Sequence, residues 1–153
     1  MGRTDLGIIK IKKLDPHLAT PTYATPESSG IDLSSRVEVE ILPGKMVKVP
    51  LGVVIQPPAG HFTLLTIRSS LAAKGLMLAN GVGIIDRDYS STLSGQEDEI
   101  CALLYNASQT TYRIERGSRI CQAIILPTFR GNIVEVKEIS SSPRGGFGST
   151  GDH

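Results

Sequence analysis

Short β-type segments, separated by glycines and prolines, follow one another along most of this chain. Sixteen glycines and nine prolines punctuate 153 residues. Val37, Val39 and Ile41 alternate with Glu38 and Glu40, the period of two that marks a half-buried strand. Pro43-Gly44 predicts a turn, with 46–49 as the return strand. Further segments are expected at 8–11, 53–55, 62–67, 82–85, 99–105, 112–114, 120–126 and 133–139. Only 70–75 reads as helix, with Ser69 or Ser70 as its cap and Gly75 as its stop. The expected fold class is all-β, a sandwich, jelly roll or barrel with one short helix.

The length suits one domain with a sizeable core. A formal charge of +1 argues against a nucleic-acid wrapper, while a local cluster of basic residues can still take a small anion. The two cysteines, Cys101 and Cys121, lie in apolar segments and read as buried strand thiols. The three histidines are scattered, so no protein-built zinc site is expected. No apolar run approaches membrane-spanning length, and the first residues lack the apolar stretch of a secretory signal. The expectation is a soluble protein of the cytoplasm or nucleus, with neither nucleic acid nor membrane as partner. Aromatic residues make up 5% of the chain and tryptophan is absent, so subunit contacts are expected to complete the core.

The most informative ten residues are 80–89, Asn-Gly-Val-Gly-Ile-Ile-Asp-Arg-Asp-Tyr. An apolar run ends abruptly in Asp86 and Asp88, which a strand would hold on a rigid support. A solvated turn decorated with acidic residues would read the same way. Asp32 lies between Ile31 and Leu33 and, as a partly buried carboxylate, needs partners. Arg68-Ser69-Ser70 precedes the helix and suits an anion. Gln122 lies within a strand segment, either exposed or bonded to something specific. The last segment, 140–151, has no apolar periodicity, yet it sets one arginine, one phenylalanine and hydroxyls among glycines. That composition suits a mobile terminus or a lid closing over a ligand.

Five signals stand in order, SGIDLSS, RSSLAAKG, NGVGIIDRDY, RGSRICQAI and RGGFGSTG, spanning 29–151. Together they resemble the five motifs of the trimeric dUTPase family. The resemblance implies a distorted jelly-roll, β-clip subunit and a homotrimer with shared active sites. Residues 1–139 would form the β domain and 140–153 a glycine-rich arm closing over the site. The implied reaction is hydrolysis of dUTP to dUMP and pyrophosphate by water attack on the α-phosphorus. Mg²⁺ would be held by the substrate phosphates and water, with no direct protein ligand. Such an activity keeps uracil out of DNA and supplies dUMP for dTMP synthesis. By motif, Asp86 would orient and deprotonate the water and Asp32 would support the site. Asn80 would read uracil, Gly83 would border the base, and Tyr89 would pack under the deoxyribose. Arg68, Ser69, Ser70 and Gln122 would contact phosphates. In the arm, Phe147 would close over uracil, with Arg144, Gly148, Ser149 and Thr150 at the phosphates.

Two departures from the family pattern stand out. An insertion within 90–98 separates Tyr89 from Glu99-Ile100, and it is expected to be a tolerated hairpin extension. Arg144 lies closer to Phe147 than the family spacing, which bears on its reach to a phosphate. The alternatives are a catalytically altered nucleotide-binding or regulatory protein on the same scaffold, or a dCTP deaminase relative.

Overall fold

The computed structural model describes residues 7–140 and Pro143. In chain order the elements are β1 (Lys10–Lys13), β2 (Ile31–Ser34), β3 (Val39–Ile41), β4 (Met46–Pro50), β5 (Val53–Gln56), β6 (His61–Ile67), α1 (Ser69–Ala72), β7 (Leu76–Leu78), β8 (Gly83–Ile85), β9 (Cys101–Asn106), β10 (Tyr112–Ile114) and β11 (Arg119–Pro127). They form a four-stranded sheet β2-β11-β6-β8, a three-stranded sheet β4-β9-β7, and the pairs β1-β5 and β10-β3. All these pairings are antiparallel. The all-β expectation is met, with one short helix. No described helix is long and apolar enough to cross a membrane.

The period of two sorts the side chains. In the four-stranded sheet, Leu33, Leu65, Cys121 and Ala123 face a core shared with Val49, Leu78, Ala102 and Leu104 of the three-stranded sheet. The opposite face carries Asp32, Gln122 and Thr66 in one row, because directly paired residues share a face. Next come Ile124, Leu64 and Ile84, and then Leu126 and Phe62. Gly83 is needed for packing: a Cβ there would lie 2.9 Å from the Leu65 Cβ, a contact that neither backbone can relieve.

Several expectations need correction. Residues 133–139 form no strand; Ile133 is 100% exposed, Val134 72% and Ile139 80%. A β-type sequence becomes a strand only where a neighbouring edge takes its hydrogen bonds, and no described strand flanks this one. Residues around Pro43-Gly44 do turn, with Gly44 at φ 71°, but β3 and β4 do not pair with each other. β3 pairs with β10 and β4 with β9, so the turn passes the chain between sheets. The helix covers Ser69–Ala72 and not 70–75, and its N-cap is Arg68, with no side-chain capping bond. Arg68 is extended because its amide donates to the Ile120 carbonyl, which leaves both serines inside the first turn. β2 and β7, too short to show a period, had no expected strand.

Cys121 is fully buried and burial pushes its thiol up to about 12 from an ordinary value of 9.0. A raised thiol contributes stability that is complete below the unfolded value and is lost as pH rises through the folded one. Urea midpoints are therefore expected to fall between pH 9 and about 12, less steeply in Cys121→Ala than in wild type. Parallel slopes would show that other groups govern the alkaline loss.

Candidate active site

Asp32 is 8% exposed at the centre of β2. A carboxylate that deep needs cations, and two arginines supply them. Arg119 Nη1 donates to Oδ2 at 3.0 Å, and Arg68 Nε lies 3.3 Å from Oδ1. The second contact is an ion pair without hydrogen-bond alignment, so Oδ1 is buried without a hydrogen-bond donor. Gln122 sits opposite Asp32 on one side and Thr66 on the other. A Cβ on Gly30 would meet the Gln122 side chain at 3.0 Å, so the missing side chain there makes room for the glutamine. Ser69 and Ser70 are exposed at the start of α1, next to Arg68. Asp32, Arg68, Ser69, Ser70 and Gln122 thus gather at one end of the sheet, a donor-rich corner suited to phosphate oxygens.

Arg119 lies within the segment RGSRICQAI, and its role there is set by geometry that the sequence does not show. By strict alternation it would share the core face with Cys121. The β2–β11 register shifts between Arg119 and Cys121, pairing Arg119 with Ser34 and Cys121 with Leu33. A bulge of this kind re-aims a side chain. Ile120 and Cys121 are both buried in consequence, and Arg119 turns toward Asp32. Two adjacent buried apolar residues beside an arginine were the available signal.

The second group surrounds β9 and the β7–β8 connection, which passes from the three-stranded sheet to the four-stranded one and so is a crossing between sheets and not a hairpin. Asn80, Gly83, Asp86 and Tyr89 border one cavity of about 340 Å³, with Lys48, Glu99, Cys101 and Leu103 on its other walls. Ala79 donates its amide to Leu103, and Gly81, at φ 74°, donates to Leu78, which fixes the turn carrying Asn80. Asp86 follows β8 directly and its carbonyl accepts the Tyr89 amide at 3.1 Å, closing a tight turn. Asp86 is exposed, and Tyr89 donates its hydroxyl to the Glu99 carbonyl at 3.2 Å. Burial is the main cause raising the Tyr89 phenol above its ordinary value, with the charges of Asp98, Cys101 and Glu99 adding. Cys101 is half-buried and lines the cavity, a correction to its reading as a buried thiol. Burial raises its thiol, and Glu99 raises it further. Arg144, Phe147, Gly148, Ser149 and Thr150 lie outside the described residues.

The two groups do not meet within one chain. Gly83 pairs with Leu65 and Ile85 with Thr63, so Asp86 lies at the His61 end of β6. Arg68 follows the opposite end of the same strand. Five residues from Thr63 to Arg68 span roughly 16 Å at the usual strand rise.

Comparison with known proteins bears on these two groups. The family model described as dUTPase matches residues 17–151. A deoxyuridine 5'-triphosphate nucleotidohydrolase of Desulfitobacterium hafniense is 40% identical over 137 residues, covering 86% of each chain. One of Nautilia profundicola is 39% identical, covering 94% of this chain and 98% of the relative. The dUTPase structure from Streptococcus mutans is similar with a TM-score of 0.71 and 31% identity, over 80% of this chain and 98% of that one. A Staphylococcus bacteriophage 80alpha dUTPase solved with dUPNHPP reaches a TM-score of 0.81 over 94% of this chain and 98% of that one. At 23% identity that likeness speaks for the fold alone. A family match across nearly the whole chain, with relatives near 40% identity, agrees with what the sheet, the cavity beside Asp86 and the arginine-bound carboxylate already indicate: the chain belongs to the dUTPase family.

Proposed function

We propose that this protein hydrolyses dUTP to dUMP and pyrophosphate, acting as a dUTP diphosphatase. The observation that carries the reading is the segment from the β7–β8 connection to the turn after β8, which sets Asn80, Gly83, Asp86 and Tyr89 around one cavity. A water oxygen attacks the α-phosphorus, the bond to the bridging oxygen of the β-phosphate breaks, and pyrophosphate leaves. Asp86 accepts the proton of the attacking water. Asn80 reads the uracil edge, with Gly83 leaving space beside it, and Tyr89 packs under the deoxyribose. Arg68, Ser69, Ser70 and Gln122 hold phosphate oxygens, and Asp32 holds Arg68 and Arg119 in place. Phosphoryl transfer of this kind needs positioning and charge neutralisation more than covalent help.

Mg²⁺ fits this scheme as a passenger on the substrate. The phosphate corner offers arginines, serines and a glutamine, a donor set that suits phosphate oxygens and not a cation. Among the described residues no group of three or more His, Cys, Asp or Glu side chains is placed to hold a metal. Bound to the triphosphate, Mg²⁺ would neutralise its charge and hold its shape.

The separation of the two groups along β6 supports a homotrimer in which one copy supplies the Asp86 turn and another the phosphate corner. The outer faces of β7, β8 and β9 support it too, since Met77, Ile84 and Leu103 are exposed there. Residues 1–139 form the β domain in this scheme. The arm, 140–153, closes over the nucleotide, with Phe147 on uracil and Arg144, Gly148, Ser149 and Thr150 at the phosphates. Pyrophosphate release is the direct test. With Mg²⁺, dUTP should be hydrolysed far faster than dCTP or dTTP. Ammonia release from dCTP would instead identify a deaminase. Tight dUTP binding without turnover would identify a regulatory relative.

A further inference from the structure

The ring of Tyr89 can select a sugar only if it stays in place, and among the described residues its hydroxyl has one acceptor, the carbonyl of Glu99. Cys101 Sγ lies 3.7 Å from the same oxygen. That carbonyl is fixed from two directions. Glu99 Oε1 accepts the Gly52 amide at 2.8 Å, and Oε2 accepts Arg36 Nη1 at 3.0 Å. Along the chain, the Ile100 amide donates to Val53 and the Ile100 carbonyl accepts from Leu51. Gly52 itself has φ 68°, and a Cβ there would come within 2.9 Å of Leu18, so the amide is presented from a position that suits glycine.

The insertion lies between Tyr89 and Glu99 in sequence but does not link them mechanically. Its neck is closed by the Ser91 amide donating to Asp98 Oδ2 at 2.7 Å and the Asp98 amide donating to the Ser91 carbonyl at 3.0 Å. Gln56 Nε2 donates to Ser90 Oγ and Lys12 Nζ to the Thr92 carbonyl, which moors the near side onto β5 and β1. Residues 93–97 lie beyond these fastenings.

We propose that Glu99, anchored by Arg36 and the Gly52 amide, is a positioning residue for Tyr89 and thereby sets the preference for deoxyribose over ribose. The proposal rests on the reading of Tyr89 as the ring beneath the sugar. It assigns the insertion no part in that preference.

The test is the ratio of kcat/KM for dUTP to that for UTP. Glu99→Ala and Tyr89→Phe should each lower the ratio about three- to tenfold, the worth of one hydrogen bond. The change should lie mainly in KM for dUTP. The double variant should be no worse than either single one, because both break the same link. Arg36→Ala, which leaves the Gly52 contact, should give a smaller drop in the same direction and serves if Glu99→Ala fails to fold. Replacing 93–97 by a short glycine turn should leave the ratio unchanged. An unchanged ratio in Glu99→Ala, with only Tm lowered, would reduce Glu99 to a structural residue and overturn the proposal. So would additive losses in the double variant, or a fall caused by shortening the insertion. A wild-type protein inactive on dUTP would refute the activity itself, and that result is read before any variant.

Discussion

Asp86→Asn should lower kcat for dUTP about 10²–10⁴-fold, the range for a positioned general base, while KM and Tm stay close to wild type. Asparagine keeps the shape and the hydrogen-bonding capacity of the side chain but cannot take the proton of the attacking water. The fold has no stake in the change. Asp86 is exposed, and among the described residues only its backbone carbonyl is engaged, by Tyr89. Asp88 supplies the internal control. It is also exposed, follows two residues later, and lines a neighbouring cleft that Asp86 also borders, beside Arg87 and Arg130, but not the cavity with Asn80 and Tyr89. Asp88→Asn removes an equal charge from nearly the same place, so a purely electrostatic role would make the two variants alike. The expected result is a large loss for Asp86→Asn and less than about a threefold change for Asp88→Asn. Equal rates in Asp86→Asn and wild type would remove Asp86 from the chemistry.

Much of this site was legible because its parts are local. An apolar run stopping at Asp86 is a strand end, and it forms β8 as the pattern required. A carboxylate between Ile31 and Leu33 had to be buried and paired, and it is. What sequence could not show was anything set by pairing across the chain. The bulge that turns Arg119 toward Asp32 is a register shift between strands, invisible to a period of two. The anchoring of Glu99 joins residues 36, 52 and 99, far apart in sequence. Residues 133–139 fail in the opposite sense. Their β-type composition is real, but a strand is a property of two segments, and no described strand pairs with this one.

A mixture of two inactive variants should recover activity. Asp86 lies at the His61 end of β6 and Arg68 follows its other end, the separation on which the proposed sharing of sites between copies rests. Asp86→Asn should abolish the chemistry at every Asp86 turn, and Arg68→Ala should weaken every phosphate corner. Asp86→Asn leaves the fold untouched, and Arg68→Ala costs stability at Asp32 without removing its second cation. The Arg68 amide keeps its bond to Ile120 in Arg68→Ala, and Asp32 retains Arg119. In a cyclic trimer each site would take its Asp86 turn from one copy and its corner from a neighbour. Random mixing of equal amounts then joins an intact Asp86 turn to an intact corner at about one site in four. Co-refolded variants should therefore show about a quarter of wild-type kcat per site, while the separately refolded proteins, combined afterwards, show only the sum of the two parents. Concentration dependence adds a check, since dilution below the assembly constant should abolish the recovered activity along with that of wild type. No recovery after co-refolding, with both variants folded and assembled, would mean that each chain builds its own site. The arm beyond residue 140 would then have to bridge the roughly 16 Å between the two groups within one subunit.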